Sequence, residues 1–368
     1  MNVDTRYGKP PFRELRYCTR CCMPETRFDT VFDELGICDA CKSHEDKMHI
    51  NWVEREKDLK KILEEAKAKT PHTYNCIVPI SGGKDSTFQL HVLVNVYKMR
   101  VLAVTFNHNW YSKVGKMNLE NALEKFNVDH IMYTPNRSLV NRLAKQSLHK
   151  IGDSCWHCHA GVGSFPLWVA VKFGIPLLIW GESTAEYGGS CYKKPVIKYD
   201  RDYFTRISAK LYAEQMVNDE ITGQDLVMFK LPSAEEIERA EVFGIHLGDY
   251  MFWDGERQTE FVKKVYGWRE DEVEGTYKKY KSTECIMPGV HDFSCTIKRG
   301  YGRATHHASQ DVRSGLMTRE EGFEIAKKVD FKVPEKALKY YLEITGMTME
   351  EFIRACKQNR PDNAKKLP

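Results

Sequence analysis

Apolar and polar residues follow a helical period in some stretches of the chain and merge into short continuous runs in others. Over residues 52–69, "WVEREKDLKKILEEAKAK", Val53, Leu59, Ile62, Leu63 and Ala66 recur at helical spacing against a charged face, which predicts a surface helix. The two patterns then alternate. The stretches 74–80 and 176–180 predict buried strands, 100–106 a further strand and 130–133 a short one, and 86–97, 116–126, 139–150 and 163–173 predict helices around them. Strands separated by helices of about ten to fifteen residues imply parallel βαβ units with right-handed crossovers. The expected fold is therefore α/β, a doubly wound parallel sheet. After Gly188 the pattern weakens into loops and amphipathic helices. Thr318 with Glu321 and Thr348 with Glu351 are spaced as capping boxes, so the C-terminal third reads as mainly helical. Residues 1–16, with Pro10-Pro11, read as an extended arm, and 359–368 as a frayed tail. The expected division is an arm and metal module over 1–50, the α/β domain over 51–190, and a helical region over 191–368.

At 368 residues the chain is long enough for a large core, and 42% hydrophobic residues is ordinary for a globular protein. Fifty-five basic residues against 51 acidic give +4, too small a bias to argue for nucleic-acid binding. The apolar runs "GIPLLIWG" and "YNCIVPI" are far shorter than a membrane span, and the N-terminus lacks an apolar leader core. A reducing cytoplasm is the expected location, with no membrane. There, twelve cysteines point to metal rather than disulfides, because several fall in Cys-x-x-Cys pairs. Cys18 with Cys21 and Cys38 with Cys41 are separated by sixteen residues, a spacing suited to one tetrahedral four-thiolate Zn²⁺ site. Cys22 is the alternative ligand. With no basic run and few aromatics between the knuckles, the module is expected to staple the terminus rather than read nucleic acid.

The stretch "PISGGKDST" lies between an apolar run and a helical pattern. Backbone N–H groups at such a turn favour an anion. Gly82 and Gly83 permit close approach, Lys84 supplies charge, and Ser81 and Ser86 offer hydroxyls. The spacing is neither that of a Walker loop nor that of a dinucleotide fingerprint.

"SGGKDS" resembles the pyrophosphate loop of the N-type PP-loop ATP pyrophosphatases, the group of asparagine, GMP and NAD synthetases and tRNA-thiolating enzymes, with an adenine nucleotide alpha hydrolase-like sheet. The resemblance implies that Ser81, Gly82, Gly83, Lys84, Asp85 and Ser86 bind ATP and that Lys84 and Asp85 are catalytic. Asn107, after a strand, would read adenine or ribose. In "GESTAE", similar to a family segment at the next strand end, Gly181 would contact the nucleotide and the acidic Glu182 and Glu186 would hold Mg²⁺ or orient the nucleophile; a charged loop in solvent is the plainer alternative. "CWHCH", Cys155 to His159, is open between a metal or iron–sulfur site, a redox pair and a polar pocket wall, with Cys191, Cys285 and Cys295 as available partners.

The whole arrangement is more specific. A four-cysteine module, then "PISGGKDS", "CWHCHAG", "WGES" and "KRGYGRATHHASQDVRSGLMTREEG" looks like the N-acetyl sugar amidotransferases of bacterial surface-polysaccharide and nonulosonic-acid pathways, over residues 17–330. That implies an ATP-dependent, AMP- and pyrophosphate-forming carbon–nitrogen ligase, turning a sugar acetamido group into an acetamidino group. Ammonia would come from a separate glutaminase through a cyclase-like subunit related to those of histidine biosynthesis. The alternative is a tRNA-thiolating PP-loop enzyme, against which the modest charge argues. The segment around Lys298, Arg299, Arg303, His306, His307 and Arg313 suits a loop closing over phosphate or a nucleotide-linked sugar, with His306 and His307 moving protons; the plainer reading is a solvated basic helix start. The aromatics of 248–262 suit either a sugar ring or the core.

Overall fold

The computed structural model describes residues 1–187, 192 and 196–368. In chain order it forms α1 (Asp39–Met48), α2 (Trp52–Lys69), β1 (Cys76–Pro79), α3 (Lys84–Leu90), β2 (Val101–Phe106), α4 (Lys113–Phe126), β3 (Asp129–Tyr133), α5 (Arg137–Ile151), α6 (Trp156–Phe173) and β4 (Leu177–Trp180). There follow β5 (Ile197–Lys198), α7 (Ala234–Arg239), β6 (Phe243–His246), α8 (Gly255–Tyr266), α9 (Pro288–Arg299), α10 (Arg303–Arg313), α11 (Arg319–Asp330), α12 (Glu335–Thr345) and α13 (Met349–Gln358).

The strands join in one six-stranded sheet of order β3-β2-β1-β4-β6-β5. All pairs are parallel except β5 with β6. Both faces of the inner strands β1, β2 and β4 are covered, which is why these are continuous apolar runs rather than alternating ones, whereas the edge strand β3 is half exposed. Ile77, Leu102, Val104 and Phe106 point into a core with Leu143 of α5 and Leu167 of α6. Their neighbours Cys76, Val78 and Ala103 point the other way, onto Leu59 and Leu63 of α2 and Leu119 of α4. Strand order reverses at β1, with β2 on one side and β4 on the other. Such a reversal opens a crevice at the carboxyl ends of the strands, where the loop after β1 lies.

Four local departures from the sequence pattern have physical causes. The expected helix over 86–97 starts at Lys84 and loosens into a π-helical segment, His91–Val96. Strand β6 is four residues long with Gly244 inside it, too short and too small to show as a strand. "CWHCH" opens α6, seven residues before the helix expected at 163. Its small residues serve packing: a Cβ on Gly161 would lie 2.2 Å from the Phe106 ring. The expected loop over 298–313 is helix, broken only at Gly300 to Gly302.

The chain ends are packed. Phe12 and Leu15 of the arm bury against Ala364 and Leu367 of the tail, and Arg360 donates to the Leu367 carbonyl. Both capping boxes form, at Thr318 and Thr348. A third core joins α5, α9, α12 and α13 through Val140, Leu148, Val290, Tyr341 and Phe352. It fastens the helical region to the sheet layer. Tyr250 and Trp253 of the aromatic stretch are likewise core residues, on the α2 face of the sheet.

Gly161→Ala offers a test of the α6–β2 packing. Alanine gains about 1 kcal/mol of helix propensity, but overpacking against a ring costs about 1–3 kcal/mol and more when the neighbour cannot move. Net destabilisation is expected, read as a lower urea midpoint with an unchanged slope.

Candidate active site

The turn after β1 is shaped by contacts that only its residue types allow. Gly82 has φ +80°, and a Cβ there would lie 2.5 Å from the Gly115 carbonyl of α4. The Trp268 indole donates to the Gly82 carbonyl at 2.9 Å. Ser81 Oγ accepts from the Gly83 amide at 3.3 Å, and Ser86 Oγ donates to the Gly83 carbonyl at 3.0 Å. These bonds hold the turn open toward the N-terminus of α3, whose first amides have no intrahelical acceptor.

Lys84 is 3% exposed. Its Nζ lies 2.5 Å from Asp85 Oδ1 and 5.7 Å from the centre of the Tyr280 ring. Burial works to lower its pKa, but the carboxylates of Asp85, Glu182 and Glu284 outweigh it and raise the pKa above its usual value. Lys281 moves the opposite way, lowered by burial and by Lys84. Burial raises Glu284. Asp85 is held below its usual value: burial opposes, and Lys84 and Lys281 prevail.

These groups face a cavity of about 410 Å³. Ser81, Gly83, Lys84, Asp85, Ser86 and Glu182 form one wall; the other thirteen of its nineteen lining residues fall within 280–310. His306 and His307 reach it from α10. Burial, with neighbouring cations, holds both imidazoles well below their usual pKa, so they are neutral bases at pH 7. His307 Nδ1 is 2.9 Å from Thr276 Oγ1. Arg303 pairs with Asp292 at 2.8 Å and contacts the Ser282 hydroxyl.

The position of α10 depends on Asp330, at the end of α11. Its carboxylate accepts from the amides of Gly302, Ala304 and Thr305 at 2.8–3.0 Å and from the Thr305 hydroxyl. Burial pushes its pKa up to about 6 despite these bonds.

The structure thus brings Ser81, Gly83, Lys84, Asp85, Ser86, Glu182, His306 and His307 to one cavity. Gly82 shapes the turn from beneath. Glu186 stands apart: it pairs with Lys47 of α1 at 2.5 Å and accepts from the Tyr192 hydroxyl. It lines a neighbouring cavity of about 440 Å³ that shares Glu182, Tyr280, Lys281 and Gln310 with the first. Asn107 bonds Thr134 and Asn109, outside both linings. Gly181 lets Gln89 approach, since a Cβ would lie 2.3 Å from its amide nitrogen. Tyr280, Lys281, Glu284, His291 and Asp292 are additional lining residues without a motif. For Tyr280, Lys281 and Glu284 the only signal was a dense polar run from 276 to 284; His291 and Asp292, within α9, had none.

In the N-terminal module the Sγ atoms of Cys18 and Cys41 are 3.8 Å apart, and those of Cys21 and Cys38 3.7 Å. Four sulfurs about 2.3 Å from one tetrahedral zinc are about 3.8 Å apart, so the buried set fits the ion. Cys22 is not in the group; its thiol faces the Arg319 carbonyl at 3.4 Å. The knuckle is tied to the cavity wall. Arg319 donates to the carbonyls of Cys18 and Cys21, Arg313 to Cys21 Sγ, and Thr26 and Arg299 exchange bonds at 2.6 Å. As for "CWHCH", burial pushes the Cys158 thiol up to about 12 and Cys155 well above its usual value, which disfavours a reactive pair. Neither belongs to a group of three close ligands among the described residues. Cys191 lies outside the described residues.

Residues 274–365 match the family model for the LPS biosynthesis protein WbpG-like, C-terminal domain. That segment contains 280–310, the larger wall of the 410 Å³ cavity. No curated protein matches the chain. Among solved structures, NMN synthetase from Francisella tularensis aligns at 10% identity over 82% of this chain and 96% of its own, with a TM-score of 0.27.

Two substitutions test this assembly. Asp330→Ala strands three amides at the start of α10 and is expected to cost about 1–3 kcal/mol, measured by urea unfolding. Cys41→Ser is expected to abolish the thiolate-to-metal charge-transfer band of the cobalt-substituted module and to lower the unfolding temperature, because Arg313 and Arg319 lose their anchorage.

Proposed function

We propose that the protein is an ATP-dependent N-acetyl sugar amidotransferase synthase subunit acting in bacterial surface-polysaccharide biosynthesis. One observation carries the reading: the "SGGKDS" turn and the segment similar to a lipopolysaccharide-biosynthesis domain are two walls of one cavity. An ATP-type phosphate turn and a polysaccharide-type region sharing a chamber suit a reaction in which ATP activates a sugar. In this reading residues 1–50 are the zinc-bound staple, 51–190 a PP-loop ATP domain of doubly wound type, and 191–368 completes the sugar site.

The chemistry follows from the leaving group. An acetamido oxygen does not leave, so it must first be made into one that does. The amide oxygen attacks the α-phosphorus of ATP, the bond to the β-phosphate oxygen breaks, and pyrophosphate departs, leaving an O-adenylyl imidate. Ammonia then adds to the imidate carbon, AMP departs with the former amide oxygen, and loss of a proton leaves the amidine. Lys84, the turn amides and the N-terminus of α3 would bind the departing pyrophosphate, the electrostatic role that dominates phosphoryl chemistry. Asp85 and Glu182 would be the carboxylates to hold Mg²⁺, which would neutralise phosphate charge when bound with ATP. His306 and His307, neutral at pH 7, suit taking the proton released as ammonia adds. Glu182 or Glu284 would stabilise the cationic amidinium. A separate glutaminase with a cyclase-like conduit is the proposed ammonia source.

The test is the intact mass of UDP-N-acetyl sugars after incubation with the protein, Mg²⁺-ATP and ammonium. Expected is the mass change for an oxygen replaced by NH, together with AMP and pyrophosphate; cleavage of ATP only when bulk tRNA is added would favour thiolation instead. Lys84→Ala is expected to lower kcat/KM by about 10²–10³-fold, with the circular dichroism spectrum unchanged.

A further inference from the structure

A second set of metal-type ligands lies beside the chamber, drawn from three separate elements. Asp153 sits in the turn between α5 and α6, His159 in the first turn of α6, and His291 in the first turn of α9. One ligand atom from each lies within 4.8 Å of the other two. The turn is held in place from both sides. Asp153 Oδ1 accepts from the Cys155 amide at 2.8 Å, and Lys298 donates to the carbonyls of Ile151 and Gly152 at 2.8 and 3.0 Å. That leaves Oδ2 facing His291.

Asp153 Oδ2 and His291 Nε2 are 3.6 Å apart. This is too long for a hydrogen bond. It is close to the separation of two donors that each bind one ion at about 2.1 Å with near-tetrahedral angles, about 3.4 Å. The His159 and His291 rings are nearly parallel, 29° apart with centroids at 5.8 Å, so both can present an edge to the same point.

The outer groups follow the same logic. His291 Nδ1 lies 3.0 Å from Asp292 Oδ1, and Asp292 is paired in turn with Arg303 at 2.8 Å. A ligating imidazole characteristically gives its second ring nitrogen to a carboxylate, which fixes its tautomer and turns the other nitrogen to the ion.

We propose that Asp153, His159 and His291 form a second metal site, for a divalent transition ion, with zinc favoured by the two imidazoles and one carboxylate. Two imidazoles select against Mg²⁺, which prefers oxygen ligands, so this site is distinct from the ATP-associated one. Its pattern also differs from the four-thiolate module. Three protein ligands leave a coordination position open, the arrangement of sites that act on a bound water or carbonyl. His291, Asp292 and Arg303 all line the 410 Å³ cavity, so the site stands at its wall. The proposal does not depend on which reaction the chamber performs.

The competing arrangement is a plain ion pair between protonated His291 and Asp153, and metal stoichiometry separates the two. Full-length protein equilibrated with Zn²⁺ and freed of excess is expected to carry two equivalents by mass spectrometry of the metal. Cys41→Ser should lose one, and His159→Ala and Asp153→Asn should each lose the other, while excess Mg²⁺ displaces neither. Cobalt titration provides a reading on the unaltered protein: one equivalent should enter with a thiolate charge-transfer band and one without. A single equivalent in the unaltered protein, a second that survives His159→Ala, or a thiolate band on both equivalents would overturn the proposal.

Discussion

Lys84 is a charge with almost no water around it, and much of the molecule is arranged to make that tolerable. An isolated buried ammonium would be strongly disfavoured, so it must be paired. Its partners come from three places: Asp85 from its own helix, Glu182 from the loop after β4, and Glu284 from the segment before α9. The lysine therefore requires the helical region to lie over the sheet. In the other direction, the carboxylates are kept together only while a cation stands among them. A chamber balanced in this way is suited to a polyanion, which displaces carboxylates from Lys84 and Lys281 while meeting donors already in place.

How much of this was legible in the sequence varied with the kind of interaction. The sheet's inner strands were readable because both faces are buried and the runs are uniformly apolar. Helix caps were readable because Thr318 and Thr348 use local bonds of fixed spacing. The turn after β1 was readable because only glycine fits beneath α4 at position 82. Residues joined across long separations were not. Asp330 positions α10 from the far end of α11, and nothing local marks it. Gly161 lies before the helix that the pattern places over 163–173, whereas its small size is what lets α6 close onto Phe106. The arm read as extended and the tail as frayed because each holds only a few apolar residues, and these find one another across almost the whole chain.

The four-cysteine knuckle fits the same scheme. Its buried Met23 and Ile37 belong to a small core against which Tyr301 and Val312 pack, and Arg313 and Arg319 reach into it from the helix bearing His306 and His307 and from the helix that follows. Its carbonyls and sulfurs serve as acceptors for cations that would otherwise be free to move. The module thus acts on the chamber by fixing helix positions, and its own His44, Lys47 and Met48 line only the adjoining cavity. Glu186, expected beside the phosphate turn, belongs to this clamp as well, since its partner Lys47 is on the helix that carries Cys41.

The division of the chamber between residues 81–86 and 280–310 has a consequence for synthesis of the chain. The strands β1 to β4 can pair as soon as they leave the ribosome, but the opposite wall is still untranslated. Until it arrives, Lys84 lacks the wall that buries it, and the turn lacks most of its enclosure. A nascent or truncated polypeptide can therefore hold a sheet and its turn without holding the enclosed chamber.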